Sequence, residues 1–138
     1  TEDGSFDLAY FDPPYNQHPY GSNYFMLNLV SSYERPNVEK ISRVSGIPKA
    51  WNNSSFNRKR DAAESFTNLV SSLRAKYLMV SFNSEGYISK NEMINILEKV
   101  GTVTVLDISY NAFKGSRNLK NRDIYVSEYL FIVKKHKV

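Results

Sequence analysis

Hydrophobic and polar positions alternate in blocks that change period along the chain. Residues 6–11, Phe-Asp-Leu-Ala-Tyr-Phe, read as a short, buried strand. Asn23 then stands as a helix N-cap, and Met26, Leu29, Val30 and Tyr33 follow at the i, i+3, i+4, i+7 spacing of one helical face, which Pro36 ends. Residues 34–57 carry no periodicity and are predicted to be a long loop; a loop of about 20 residues in a small domain tends to be functional or mobile. A second helix is predicted over 58–74, with Phe66, Leu69, Val70 and Leu73 on its buried face, and a strand over 77–82. After a loop at 83–86, Ser89-Lys90-Asn91-Glu92 reads as a capping box for a third helix that buries Met93, Ile96, Leu97 and Val100. Gly101 sits where a C-terminal glycine belongs. Residues 102–110 and 125–133 read as strands paired antiparallel through the polar, basic connection 111–123.

The predicted order is β-α-loop-α-β-α-β-β, an α/β fold in one domain spanning 1–138. Strand–helix alternation predicts a mostly parallel sheet, with the last two strands adding an antiparallel C-terminal hairpin at its edge.

Composition narrows the picture. The 138 residues are enough for one domain with a real core, but few for a complete cofactor-dependent enzyme. Zero cysteines exclude disulfides, thiolate chemistry and a Cys-based zinc site. With no membrane-length apolar run and no visible signal peptide, the chain reads as cytosolic. The net charge of +4 permits a polyanionic partner, and the ten tyrosines, several of them close to residues 10–24, suit base stacking as well as core packing. The abrupt entry into a strand after Thr1 suggests a fragment.

The chemistry begins where the first strand ends, at Asp12-Pro13-Pro14-Tyr15. Asp12 offers a carboxylate to an amino group, Tyr15 offers a ring face, and the two prolines lack N–H donors and leave their carbonyls as acceptors. A plain turn competes with that reading, because Asp-Pro and Pro-Pro are common turn dipeptides. Position favours chemistry: in open α/β sheets ligands bind beyond the carboxyl ends of the strands, and both 12–15 and 83–86 follow strands onto one rim.

Asp12-Pro-Pro-Tyr-Asn-Gln-His-Pro-Tyr-Gly-Ser-Asn-Tyr24 after a hydrophobic strand resembles the catalytic motif of the D12-class, Dam-like N6-adenine DNA methyltransferases. The segments 80–86 and 127–132 resemble that class's next core strand and its final strand. The resemblance implies a Rossmann-like S-adenosylmethionine-dependent methyltransferase fold, present in part, and methyl transfer to N6 of an adenine flipped out of the duplex. It implies that Asp12 and the Pro13 carbonyl accept hydrogen bonds from the amine, that Pro14 completes the rigid turn and that Tyr15 stacks on the base. Asp12 would also touch the edge of the S-adenosylmethionine site. The implied partners are double-stranded DNA, an N-terminal half and a restriction endonuclease. The same motif chemistry also serves N4-cytosine or RNA methylation, and a non-catalytic nucleic-acid-binding or scaffolding half is the reading from another class.

Other positions are candidates for contact. Tyr24 and Phe25 either line the adenine pocket or start a helix face, with the core the favoured place. His18 is a possible base or phosphate contact or a plain exposed histidine. Lys49, Arg58, Lys59 and Arg60 flank the long loop; Lys114, Arg117, Lys120 and Arg122 fill the hairpin connection and are candidates for DNA phosphates. Lys134, Lys135 and Lys137 read as a solvated tail. The glycine-rich turn that the resemblance requires for the cofactor is missing: of Gly4, Gly21, Gly46, Gly86, Gly101 and Gly115, no two are close enough to build it. The chain is therefore expected to be the C-terminal catalytic half of a methyltransferase, with little activity in isolation.

Overall fold

The computed structural model describes residues 6–49, 54–111 and 125–136. Four strands form one mixed sheet: β1 (Phe6–Phe11), β2 (Ala75–Asn83), β3 (Gly101–Asn111) and β4 (Tyr125–Lys135), in the order β1-β2-β4-β3. Among the described residues, four α-helices accompany them: α1 (Tyr20–Asn23), α2 (Phe25–Ser32), α3 (Ala62–Ser72) and α4 (Lys90–Glu98). No described helix is long and apolar enough to cross a membrane.

The predicted mostly parallel sheet is corrected by the pairing. Only β1 and β2 pair in parallel; β4 is antiparallel to both β2 and β3. The hairpin of β3 and β4 is present, but it is not a plain antiparallel edge: β4 lies between β2 and β3, and β3 is the outer strand. Inserted in this way, β4 satisfies its N–H and C=O groups on both sides.

One face of the sheet holds the core. Leu78, Val80 and Phe82 of β2 stand opposite Val133, Phe131 and Tyr129 of β4, and Phe66 and Val70 of α3 with Met93, Ile96 and Leu97 of α4 close over them. Phe66, Val70, Leu78, Val80, Met93, Leu97, Phe131 and Val133 are fully buried. Among the described residues, no helix covers the opposite face. Phe6, Leu8, Tyr10, Tyr77, Leu106, Ile108 and Tyr110 remain exposed on it, and α1 and α2 pack against each other rather than on the sheet. The apolar stripe expected of residues 26–33 accordingly does not reach a core: Met26, Val30 and Tyr33 are exposed, and only Phe25 of α2 is buried.

Several local expectations shift for identifiable reasons. Asn23 is not an N-cap but the last residue of α1, whose own N-cap is Pro19; α2 begins anew after Tyr24 and stops at Tyr33, which takes a left-handed conformation (φ 55°) and bonds the Leu29 carbonyl. The long loop contains two 3₁₀ turns, Val38–Lys40 and Ser55–Asn57, and a bridge between Ile41 and Pro48. The helix expected from 58 starts at Ala62, because residues 58–61 form a turn in which Asp61 binds Arg58 and Arg60. Ser89 does cap α4, its Oγ accepting from the Glu92 N–H at 3.3 Å. Gly101 is not a helix cap but the first residue of β3: a Cβ there would run into the carbonyl oxygen of Lys134 and the side chain of Val133, so close strand approach demands glycine.

The solvated-tail reading of 134–135 is also corrected. Both residues belong to β4, and Lys135 lies half-buried with its Nζ donating to the carbonyls of Val70 at 2.9 Å and Leu73 at 2.6 Å. These are carbonyls at the end of α3 that no intrahelical donor reaches, so a lysine ammonium caps the helix from the neighbouring strand. Burial pushes the Lys135 amine below its ordinary value. Residue 137 and the connection 112–124 lie outside the described residues.

Candidate active site

The parallel register sets Phe11 beside Val80, so Asp12 leaves β1 at the level of Ser81, and the turn 12–15 rises on the rim where β2 also ends. Asp12 is exposed, while Pro13, Pro14 and Tyr15 are half-buried. The turn does not stand alone. The Tyr15 ring meets Phe82 edge-on with centroids 6.3 Å apart, and the Tyr15 carbonyl accepts from the Tyr87 N–H at 2.9 Å. The next carbonyl, of Asn16, accepts from Asn57 Nδ2 at 2.9 Å, and Gln17 Oε1 accepts from the Tyr87 hydroxyl at 3.0 Å. Asn57 is itself buried, so the end of the long loop anchors the residue that follows the motif.

Beyond the turn the chain enters α1, and Tyr20 at its start and Tyr24 just after its end, four residues apart, stack with centroids 5.9 Å apart at an interplanar angle of 25°. A cleft of about 430 Å³ opens between these elements. Asp12, Tyr15, His18, Tyr20, Tyr24, Asn83 and Glu128 are among its walls. Among the described residues, no lysine or arginine lines it. Glu128 comes from β4 and is bracketed: its Oε1 accepts from Asn83 Nδ2 at 2.8 Å and from the Tyr110 hydroxyl at 2.9 Å.

The phenols are held in their protonated form. Burial raises Tyr15 first, followed by the negative charges of Glu128, Glu85 and Asp12. Tyr20 rises chiefly through burial and then through Asp12. Tyr110 rises through burial and through its bond to Glu128. At neutral pH each of these rings is therefore an uncharged flat surface with a hydroxyl donor. Chemically, the cleft offers aromatic faces, a motif carboxylate and several acceptor oxygens. It suits a planar group that brings N–H donors or positive charge.

Of the residues singled out by sequence, Asp12, Pro14, Tyr15 and Tyr24 meet in this cleft, while Phe25 next to them goes to the interior. The core placement favoured for Tyr24 is thus overturned: it is about half exposed and faces the cleft, because α1 and α2 do not pack on the sheet. Arg58 and Arg60 pair with Asp61, and Lys49 and Lys59 are exposed and away from the cleft walls. Lys114, Arg117, Lys120 and Arg122 lie outside the described residues. Sequence reading missed Tyr20, Asn57, Asn83, Tyr110 and Glu128 as site residues. The signal for Tyr20 was its i, i+4 spacing from Tyr24; for Asn83 and Glu128 it was a polar residue closing or interrupting an apolar strand.

Comparison with known proteins gives the family of the chain. Residues 1–96 match the family described as D12 class N6 adenine-specific DNA methyltransferase. The Type II methyltransferase M.CviAII of Paramecium bursaria Chlorella virus 1 is 36% identical over 127 residues, covering 92% of this chain and 37% of the relative. The modification methylase StsI of Streptococcus sanguinis is 31% identical over 94% of this chain and 20% of its own length, and M.NlaIII of Neisseria lactamica is 29% identical over 95% and 39%. No solved structure matches the chain. The chain belongs to the D12 class of N6 adenine-specific DNA methyltransferases, and it spans between a fifth and two-fifths of the length of these relatives.

Proposed function

We propose that this chain is the acceptor-binding part of a Rossmann-like, S-adenosylmethionine-dependent methyltransferase that methylates N6 of adenine flipped out of double-stranded DNA. The observation that carries this reading is the turn Asp12–Tyr15, opening into a cleft walled by Tyr20 and Tyr24 in a chain of this family. Asp12 and the Pro13 carbonyl accept the two N–H bonds of the amine and localise its lone pair. Tyr15 stacks on the extruded ring and fixes its plane. Pro14 keeps the turn rigid.

S-adenosylmethionine, when bound, supplies an electrophilic methyl on a positively charged sulfur. The residues present fit the receiving end of that chemistry: a carboxylate at Asp12 and cleft walls that, among the described residues, carry no lysine or arginine suit a cationic neighbour. As the nitrogen gains the methyl it becomes acidic, and its proton leaves along the hydrogen bond to Asp12 or to water in the open cleft. Asp12 need not be a strong base before transfer begins.

A second reading is favoured by the sheet face that no described helix covers and by the place of β1 at the edge of the described sheet. The 138 residues then need the remaining polypeptide of the enzyme, the N-terminal half that would hold the cofactor, and show little transfer alone. A restriction endonuclease is a further partner consistent with Type II relatives, and the cytoplasm is the compartment that suits this role. The test is transfer of tritiated methyl groups to adenine-containing duplex DNA by the enzyme that carries this chain. Asp12→Ala should lower transfer by at least about 100-fold while cofactor binding holds. Undiminished methylation would remove Asp12 from the reaction, and robust turnover by the 138 residues alone would refute their dependence on a partner.

A further inference from the structure

Glu128 stands at one end of a chain of hydrogen bonds whose other end is the turn that carries Asp12. Its neighbours in the sheet make this possible: Glu128 lies directly opposite Asn83 on β2 and diagonal to Tyr110 on β3. Both side chains donate to the same oxygen, Asn83 Nδ2 at 2.8 Å and the Tyr110 hydroxyl at 2.9 Å. Asn83 is buried, and its amide is used at both ends: while Nδ2 points to Glu128, Oδ1 accepts the Glu85 N–H at 2.8 Å. The Asn83 main-chain carbonyl accepts from Gly86 at 3.0 Å and closes the turn. Tyr87, the next residue, gives its N–H to the Tyr15 carbonyl at 2.9 Å.

The amide of Asn83 has two possible orientations, and only one supports this turn. Flipped, it would aim Nδ2 at the Glu85 N–H, donor against donor, and present Oδ1 to the Glu128 carboxylate, acceptor against acceptor. Glu128 thus makes the working orientation the favoured one. Without an acceptor at 128, Asn83 Nδ2 keeps a long bond to the Tyr110 hydroxyl at 3.4 Å in place of the 2.8 Å bond to the carboxylate, and the discrimination between the two orientations falls.

We propose that Glu128 is a positioning residue for methyl transfer: its acceptor oxygen orients Asn83, and through the 83–87 turn it holds the Asp12–Tyr15 turn in the geometry the acceptor amine requires. The role in transfer rests on the function proposed above; the relay of hydrogen bonds does not. Its effect is preorganisation, because a displaced turn still binds ligand but aims the lone pair poorly.

Amide hydrogen exchange on the 138-residue chain tests the relay without any reaction. Glu128→Ala should speed exchange at Glu85 and Tyr87 by about tenfold or more, while the amide of Leu97 in α4 reports that the fold is intact. Glu128→Gln keeps an oxygen for both donors and should stay within about threefold of the parent. Should the alanine variant fail to fold, Tyr110→Phe removes one donor to Glu128 and should move Tyr87 in the same direction by a smaller factor. Unchanged protection at Tyr87 in the folded variants would overturn the relay. In the enzyme that carries this chain, Glu128→Ala should lower kcat by about 10- to 100-fold with KM for duplex DNA unchanged, and Glu128→Gln should restore it. A glutamine variant as impaired as the alanine variant would overturn the positioning role in favour of a need for charge. Absence of transfer by the unsubstituted enzyme would overturn the reaction on which the role rests, whatever the exchange data give.

Discussion

The N–H of Tyr87 donates to the carbonyl oxygen of Tyr15 at 2.9 Å, and this bond joins two loops that are 72 residues apart in sequence into one rim. Gly86 makes the junction possible. A Cβ at 86 would press into the ring of Phe82, which supports Tyr15 from below. Gly86→Ala should therefore cost about 1–3 kcal/mol and displace Tyr15 with Phe82. Urea unfolding measures the first effect, and the near-ultraviolet circular dichroism of the aromatic cluster measures the second. A fully stable variant with an unchanged spectrum would show that the ring moves aside freely.

How much of this was legible in the chain differs between elements and site. The strand at 6–11, the Ser89 cap and the buried faces of α3 and α4 follow from local signals, which their own residues carry. The place of β4 between β2 and β3 is a matter of pairing between distant strands, and alternation along β4 does not encode which neighbours it takes. For the site, Asp12 and Tyr15 were readable because their chemistry is concentrated in four consecutive residues. Glu128, Asn83 and Tyr110 come from three strands and become a unit only through register. Lys135 looked like tail because the helix end it caps is more than 60 residues away.

Lys135 yields its own expectation. Lys135→Met keeps the length and apolar stem of the side chain but leaves the carbonyls of Val70 and Leu73 without their donor. The loss should be about 1–3 kcal/mol, with fraying confined to the last turn of α3. Amide exchange at Leu73 and neighbouring residues, compared with α4 as reference, checks it.

Alkaline titration should unfold the rim from its phenols. Tyr15, Tyr20 and Tyr110 all have folded values raised above the ordinary value of about 10. The folded state then holds protons that the unfolded state releases, so the stability they contribute is complete below about pH 10 and is lost as pH rises through their raised folded values. Deprotonation of Tyr110 also replaces a donor to Glu128 with a second negative charge. Lys135 acts in the opposite direction, since its lowered value makes the folded state release a proton first and gain stability as pH rises toward the ordinary lysine value. Ultraviolet absorbance should accordingly resolve tyrosines that ionise late, and Tyr110→Phe should remove one of them. Ionisation of all ten at a single ordinary value would contradict it.

The sheet face that no described helix covers predicts behaviour of the 138 residues in solution. Exposed Phe6, Leu8, Tyr10, Leu106 and Ile108 form an apolar surface of the kind that binds dyes and associates. The chain alone should bind an apolar fluorescent dye and sediment as a concentration-dependent mixture. Leu8→Lys combined with Ile108→Lys should reduce both while leaving the unfolding midpoint almost unchanged, because neither side chain is in the core. A monomer that ignores the dye would mean that the face is covered by the chain itself.

The position of β4 also orders events in time. Until residues 125–135 arrive, β3 has no partner, and β2 is paired on one side only. The strand made last from this sequence is the keystone of the sheet, so during synthesis the elements before it can form helices and one parallel pair but not a closed core. Folding is deferred to a single late closure. Glu128 arrives on that same strand, so the completion of the sheet and the setting of the Asp12 turn are one event.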